Sequence, residues 1–191
     1  MKLTKSHLHK VLATSRRGIV TLYFFDVWKL NVSKKIFDKL SAHQSVFTTK
    51  SFLDFSSAKI PVADHCVFFN PTHQAESLKD PKGRVRVSMS AIVMISYRNK
   101  SCFLIQDETI KPFGGGYQFE TLPSFPTLIL DNPQSKDLRF TVESHELPMV
   151  EDWYHKETNR ELDPKRELRE ELSEENLILT PEEIKEILET V

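Results

Sequence analysis

The sequence predicts a mixed α/β fold, in which helices flank a sheet. Two β-type runs, Val85 to Tyr97 and Ser101 to Gln106, are separated by a short polar turn and are expected to pair as a hairpin. Segments with the apolar period of an α-helix occupy most of the last quarter of the chain. Hydrophobic residues make up 39% of the 191 residues, which is enough to bury a core of ordinary size.

Residues 81–191 are expected to form the main domain. The first 80 residues are expected to form an α/β extension of it, whose role the sequence does not indicate. Residues 5–14 weakly favour a helix, and residues 31–42 carry an apolar stripe that predicts a second one. Between them, Gly18 to Leu30 is rich in β-branched and aromatic residues, which predicts a strand.

The predicted helices of the second half begin and end at recognisable signals. A helix expected over residues 145–162 ends at Asp163-Pro164, where a new helix begins, because aspartate caps helices and proline suits their first turn. Thr180 and Glu183 have the spacing of a capping box, which predicts the start of a last helix.

Cysteine content and apolar runs exclude several classes of protein. The two cysteines, Cys66 and Cys102, are too few for a disulfide framework or a thiolate zinc site, which favours a reducing compartment. The N-terminus lacks the features of a signal peptide, and Gly18 to Leu30 is too short and too charged to span a bilayer. We therefore expect a cytoplasmic protein that binds no membrane. No nucleic-acid-binding motif is recognisable.

The net charge of −1 conceals an asymmetry between the two ends of the chain. Residues 1–60 contain eleven Lys/Arg and three Asp/Glu, whereas residues 151–191 contain six and fourteen. A basic surface of this kind attracts nucleotide phosphates or nucleic acid. Alternatively, the two ends pack together or face water.

Glycines are concentrated at one point of a chain that has few of them. Three of the five glycines are Gly114, Gly115 and Gly116, shortly after the predicted hairpin. Glycine permits positive φ and lets backbone N–H groups approach a ligand, so such a run can cradle phosphate oxygens. A kink or bulge in a strand is the structural alternative.

The segment from Arg166 to Leu172 carries the candidate chemistry. Glu167, Glu170 and Glu171 lie at positions i, i+3 and i+4, so on a helix their carboxylates share one face. A hard divalent cation such as Mg²⁺ offsets the repulsion of such a group, because it prefers carboxylate and phosphate oxygens. The alternative is a solvated acidic helix in which Arg166 pairs with Glu170.

Together, the glycine run and the glutamate segment resemble the Nudix family. The sequence RELREE, residues 166–171, matches the core of the signature G-x5-E-x7-R-E-U-x-E-E-x-G-U, where U is a bulky aliphatic residue. Gly114 and Glu120 have its G-x5-E spacing. The resemblance implies that the glycine loop and the glutamate helix hold a divalent metal against a diphosphate, whose phosphoanhydride a metal-activated water cleaves.

The chain departs from this signature in several respects. Between Glu120 and Arg166 stand 45 residues, where the family has seven, and Ser173 replaces the glycine after the glutamates. Aligning Gly115 with the first glycine instead places Thr121 at the glutamate position. A Nudix sheet normally has further strands after the signature. Either strands of the N-terminal extension complete the sheet, or the chain is incomplete as a Nudix domain.

A narrower resemblance accounts for the interruption. The patterns PFGGGYQF, LRF and LxxxxxWYxxxxxRELxxxRELREEL, at residues 112–119, 138–140 and 147–172, are similar to the SMODS-associated Nudix domains. The similarity covers roughly residues 85–180. It implies a nucleotide-binding domain of bacterial antiphage signalling through cyclic oligonucleotides (CBASS).

These resemblances give three hypotheses of function. The first is hydrolysis of a nucleoside diphosphate-linked substrate with Mg²⁺ or Mn²⁺ as cofactor. The second is a sensor that binds a nucleotide or a cyclic oligonucleotide without cleaving it. The third is a degenerate Nudix scaffold that binds a signalling protein or a second copy of the chain.

The first hypothesis assigns a role to each candidate residue. Glu167, Glu170 and Glu171 bind the metal, and one of them or Glu120 deprotonates the attacking water. The three glycines approach the phosphates. The guanidinium of Arg166 orients a glutamate by ion pairing, and that of Arg139 is a candidate phosphate contact.

Overall fold

The computed structural model describes residues 3–14, 20–50, 58–59, 61 and 81–189. The strands in these ranges are β1 (Leu3–Thr14), β2 (Val20–Asn31), β3 (Val46–Thr49), β4 (Arg84–Tyr97), β5 (Lys100–Gln106), β6 (Thr109–Lys111), β7 (Ile129–Leu130) and β8 (Arg139–Glu143). The helices are α1 (Lys34–Ser41), α2 (Leu147–His155), α3 (Lys165–Arg169) and α4 (Pro181–Glu189), with a 3₁₀ turn at Ser144–Glu146 and a π-helical segment at Glu170–Glu175. The predicted mixed α/β fold is confirmed. No helix in the described ranges is long and apolar enough to cross a bilayer.

The strands form one sheet around β4. Strand β1 pairs antiparallel with β2, and β2 runs parallel to β4 from the Thr21–Arg86 pair to the Asn31–Ser96 pair. The predicted hairpin is present, because β5 pairs antiparallel with the end of β4, and β3 adds to β5. Strands from the N-terminal 80 residues therefore lie in the same sheet as those of the main domain.

The second edge of β4 is shared by three successive partners. Strand β8 pairs with its first residues, and β5 pairs with its last. Between them, Ala91 N–H donates to the Gly115 carbonyl at 2.9 Å, and Val93 N–H donates to the Phe113 carbonyl at 2.8 Å. These bonds hold the glycine run against the middle of the sheet.

Helices cover one face of the sheet. Successive residues of a strand point to opposite faces, so every second residue of β4, from Val85 to Ile95, faces the helices and is buried. One core cluster joins Val93 and Ile95 to side chains of α1, α3 and α4, including Leu40, Leu168 and Ile187. A second cluster joins the first half of β4 to β8 and α2. The glutamate segment is thereby anchored to the sheet through its apolar side.

The weak helix predicted over residues 5–14 is wrong, because this segment belongs to β1. It pairs with β2 along its length, with one irregularity between Lys5 and His7. The hydrogen bonds of this ladder outweigh a weak local preference for helix.

The helix predicted over residues 145–162 is shorter than expected. Helix α2 ends at His155, and Glu157 and Asn159 beyond it have positive φ angles of 50° and 60°, which a right-handed helix does not contain. Arg160 is 2% exposed, and its guanidinium stacks 4.1 Å from the ring centre of Tyr154. Burial of this side chain replaces continuation of the helix.

The basic and acidic ends of the chain make contact. Lys5 Nζ lies 2.8 Å from Glu157 Oε1, and Lys39 forms an ion pair with Glu183. Side chains of α1 and α4 also share one core cluster. These contacts favour the interpretation that the two ends pack together.

The capping box at the start of α4 gives a prediction about stability. Thr180 Oγ1 accepts from Glu183 N–H at 3.3 Å, and Glu183 Oε2 accepts from Thr180 N–H at 2.9 Å. We expect Thr180→Ala to lower the free energy of unfolding by about 1 kcal/mol in urea denaturation. The control is Lys185→Ala on the exposed face of α4, where we expect a change within about 0.5 kcal/mol. Equal losses in the two variants would contradict the capping role.

Candidate functional site

The glutamate helix and the glycine run meet in the structure. Gly114 N–H donates to Glu171 Oε2 at 2.7 Å. Gly114 has a φ of +100°, and a Cβ on it would overlap the Ala91 carbonyl oxygen. A Cβ on Gly115 would overlap the carboxylate of Glu167. The run is therefore a kink in the chain whose backbone carboxylates approach closely, and its contact with phosphate oxygens stays a prediction.

Arg166 joins the glutamates to the glycine run. Its Nη1 donates to Glu170 Oε2 and its Nη2 to Glu167 Oε1, both at 2.8 Å. Nη2 also donates to the Gly116 carbonyl at 2.8 Å, and Nε donates to Glu161 Oε1 at 2.7 Å. Burial opposes the charged form, but hydrogen bonds to Glu161 and Glu170 and the charge of Glu167 raise the pKa of Arg166 above its ordinary value. The guanidinium is a permanent cation at the centre of four groups.

The two ends of the long segment that interrupts the signature lie next to each other in the structure. Gln118 N–H donates to Glu161 Oε2 at 2.8 Å, and Glu161 N–H donates to the Gln118 carbonyl at 2.9 Å. The residues between them form an excursion whose ends are paired. This pairing places Glu161 beside Arg166, five positions before it in the sequence.

The structure leaves Glu120 outside the group of glutamates. Its side chain is exposed, and its N–H donates to the Asn159 carbonyl at 2.7 Å. Among the described residues, no hydrogen bond or ion pair joins the Glu120 side chain to the glutamate helix. The carboxylate that pairs with Arg166 from before the helix is Glu161, which is not among the candidate residues that the sequence indicates. Its signal was the R-E-L triplet at residues 160–162, which recurs at residues 166–168.

The helix that contains the glutamates changes from α-helical to π-helical geometry at Glu170. Helix α3 ends at Arg169, and Glu170–Glu175 forms a π-helix, whose wider turn closes i→i+5 hydrogen bonds. Three consecutive residues, Glu171, Leu172 and Ser173, are buried there. The three carboxylates consequently differ in exposure. The carboxylate of Glu171 lies under the glycine run, while that of Glu170 stays half-buried.

The carboxylates next to the glycine run are desolvated. Glu171 is 3% exposed, and its Oε1 lies 3.0 Å from Lys111 Nζ. Burial raises the pKa of Glu171 to about 7, although the charge of Lys111 and the Gly114 N–H oppose this shift. Burial also raises the pKa of Glu167, against the charge of Arg166. Both carboxylates thus need a nearby positive charge to remain ionised.

A cleft of about 280 Å³ opens beside the glycine run. This volume is near the lower end of small-molecule sites, which is about 300 Å³. Tyr23 and Phe25 of β2 line it and lie in register with Ser88 and Ser90 of β4. Since these serines alternate with the buried core residues of β4, the cleft lies on the sheet face opposite the helices.

Two cations flank the glycines in this cleft. Lys111, the last residue of β6, and Arg139, the first residue of β8, both line it. A Cβ on Gly116 would lie 3.1 Å from Arg139 Nη2, so the guanidinium lies directly over the backbone there. The side chain of Arg139 is 43% exposed, and its Nη1 lies 3.6 Å from Asp137 Oδ2. The sequence indicates Arg139 as a candidate but not Lys111, because a lysine at the end of a strand carries no distinct signal.

As arranged, the carboxylates do not fit a divalent cation. The resemblance to Nudix domains implies a divalent metal, and three glutamates supply the hard oxygen donors that Mg²⁺ prefers. However, both oxygens of Glu171 accept from Lys111 and Gly114, while Glu167 and Glu170 share Arg166. Across the part of the chain that the structure describes, no three His, Cys, Asp or Glu side chains are placed to hold a metal ion. The positive charge in this arrangement comes from the chain itself.

The glycine geometry gives a second prediction about stability. We expect Gly114→Ala to lower the free energy of unfolding by about 3 kcal/mol or more, because strain at positive φ adds to overlap with the backbone. Gly83 is the matched control, since it has a φ of +77° but no atom within 4 Å of the position that an added Cβ would take. For Gly83→Ala we expect a loss of about 1 kcal/mol, from strain alone. Equal losses in chemical denaturation would show that Gly114 does not need its close approach to Ala91.

Comparison with known proteins identifies the family from the same segments. The family model of the SMODS-associated NUDIX domain matches residues 84–190, which span the glycine run, the excursion and the glutamate helix. Neither the curated proteins nor the solved structures include a significant match. Because the family model covers more than half of the chain, this protein belongs to the SMODS-associated NUDIX domain family.

Proposed function

We propose that this chain binds a phosphorylated nucleotide in the cleft beside its glycine run. The observation that carries the proposal is the placement of two cations, Lys111 and Arg139, on either side of the glycines in one cleft. Cations with flexible side chains and a glycine-rich backbone are the usual partners of phosphate oxygens.

The other walls of the cleft support a nucleotide in preference to a simple phosphate. Tyr23 provides aromatic surface beside the buried ring of Phe25, which favours contact with a base. Ser88 and Ser90 provide hydroxyl groups that donate to or accept from a sugar or base. A cleft with apolar walls and a few polar groups is the usual form of a small-molecule site.

The family of the chain extends this proposal to a sensor role. In this role the bound nucleotide, or a cyclic oligonucleotide, is a signal in bacterial antiphage defence and is released uncleaved. Ion pairs of Glu171 with Lys111 and of Glu170 with Arg166 support binding without cleavage, because they leave these carboxylates compensated by the chain.

Hydrolysis of a nucleoside diphosphate-linked substrate is the second candidate function. It is favoured by the desolvated carboxylate of Glu171, whose pKa of about 7 suits a general base at neutral pH. This activity would require Mg²⁺ or Mn²⁺ to take the place of the cations that now face the glutamates. A scaffold that only binds a signalling protein or a second copy is the remaining hypothesis.

Binding is tested by thermal shift and titration calorimetry with mononucleotides, dinucleotides, ADP-ribose-like compounds and cyclic oligonucleotides. A ligand that binds the native state stabilises it by an amount that grows with the ratio of its concentration to Kd, and so raises the melting temperature. We expect Arg139→Met to weaken binding about tenfold or more, since one charge-assisted hydrogen bond is lost. The control, Arg98→Met, removes the same charge from the exposed turn between β4 and β5. If no compound binds, or both variants bind equally well, the proposal fails.

Hydrolysis is tested by incubating each bound nucleotide with Mg²⁺ or Mn²⁺ and separating the products by chromatography. A hydrolase converts the ligand, and Glu171→Gln lowers the rate about 100-fold or more because the base is lost. Glu174→Gln, an exposed neighbour on the same segment, is the matched control and keeps the rate. Recovery of intact ligand from the wild-type protein would instead favour the sensor.

A further inference from the structure

Lys111 belongs both to the ligand cleft and to the glutamate group. It is the last residue of β6 and stands three residues before Gly114. Pairing with Leu104 of β5 fixes its backbone position. Its side chain is 23% exposed and lines the cleft, while its Nζ lies 3.0 Å from Glu171 Oε1. The ammonium therefore lies between a buried carboxylate and the space in which a ligand would bind.

Each of the two oxygens of Glu171 already has a partner in the chain. Oε1 faces the ammonium of Lys111, and Oε2 accepts the Gly114 N–H at 2.7 Å. A buried carboxylate requires such compensation, because an isolated charge in an apolar surrounding is strongly unfavourable. A divalent ion at this carboxylate would have to displace the ammonium or lie next to a like charge.

The remaining glutamates are compensated in the same way. Arg166 donates to Glu167 and Glu170 at 2.8 Å each, and the guanidinium is fixed by a further hydrogen bond to the Gly116 carbonyl. Glu167, Glu170 and Glu171 thus each have a cation of the chain as a partner. The site combines the acidic residues of a metal centre with the positive charge already supplied.

We propose that Lys111 is the resident cation of this site, so that phosphate binds there directly and without a divalent metal. An ammonium has three donors, and one directed at Glu171 leaves two for phosphate oxygens in the cleft. The ligand is then recognised as the free nucleotide, and not as its Mg²⁺ complex. This inference rests on the proposed function for the identity of the ligand. Its central claim, that no divalent metal binds at Glu171 while Lys111 is present, does not depend on that identity.

The claim is tested with Mn²⁺ as the probe and with no nucleotide present, by electron paramagnetic resonance and titration calorimetry. We expect the wild-type protein to bind Mn²⁺ at this site no more tightly than Glu171→Gln does. Lys111→Met removes the ammonium but keeps an unbranched chain, and we expect it to bind Mn²⁺ about tenfold or more tightly than the wild type, because a like charge is gone. The double variant Lys111→Met/Glu171→Gln should lose this gain.

Two further variants separate the effect of charge from that of side-chain replacement. Lys111→Arg keeps a cation and should show no gain in Mn²⁺ affinity. Lys100→Met makes the same replacement at an exposed position at the start of β5 and should also show none. Circular dichroism confirms that each variant is folded.

The proposal would be overturned if the wild-type protein bound Mn²⁺ tightly and Glu171→Gln abolished this binding. That measurement does not depend on the folding of any Lys111 variant. A gain in Lys111→Arg equal to that in Lys111→Met would also overturn it. Neither result would decide whether nucleotides bind, which titration calorimetry with the nucleotides measures separately. If nucleotides do not bind but Lys111→Met gains Mn²⁺ affinity, the resident cation stands and the nucleotide proposal fails.

Discussion

The hydrogen bonds of Arg166 are the interaction on which the arrangement of the site depends. One guanidinium contacts Glu161, Glu167, Glu170 and the Gly116 carbonyl, so it connects the end of the excursion, the glutamate helix and the glycine run. The planar fork of arginine satisfies several acceptors at fixed angles, which a lysine does not. Without this cation, three carboxylates would approach one another and the glycines without compensation.

The sheet provides the second constraint. Strand β4 pairs with β2 along one edge. Along its other edge it pairs in turn with β8, the glycine run and β5. Because the glycine run takes the place of a strand at the middle of that edge, its backbone is held by hydrogen bonds while its missing side chains leave room on both sides. The glutamates use this room at Gly115, and Arg139 uses it at Gly116.

The N-terminal strands contribute directly to the candidate site. Tyr23 and Phe25 of β2 line the cleft. Asp26 of the same strand accepts a hydrogen bond from the Tyr117 hydroxyl at 2.9 Å. Tyr117 follows the glycine run in the sequence and is 1% exposed. The family match begins at residue 84, yet β2 of the described region supplies walls of the same cleft.

The sequence by itself determined the family, the hairpin, the capping box of α4, and the glycine and glutamate segments. These features depend on local spacing and on residue types whose chemistry is specific, such as a run of glycines or carboxylates at i, i+3 and i+4. It also located Arg166 and Arg139, although the role of Arg139 as a phosphate contact stays a prediction.

Only the tertiary structure decided which charges face one another. The pairing of Gln118 with Glu161 across the excursion places Glu161, and not Glu120, beside Arg166. The strand ladder makes residues 5–14 a strand, and the π-helical turn buries Glu171 against Lys111. Each of these results depends on contacts between residues distant in the chain, and the free energy of such contacts exceeds the local preferences that a sequence pattern reveals.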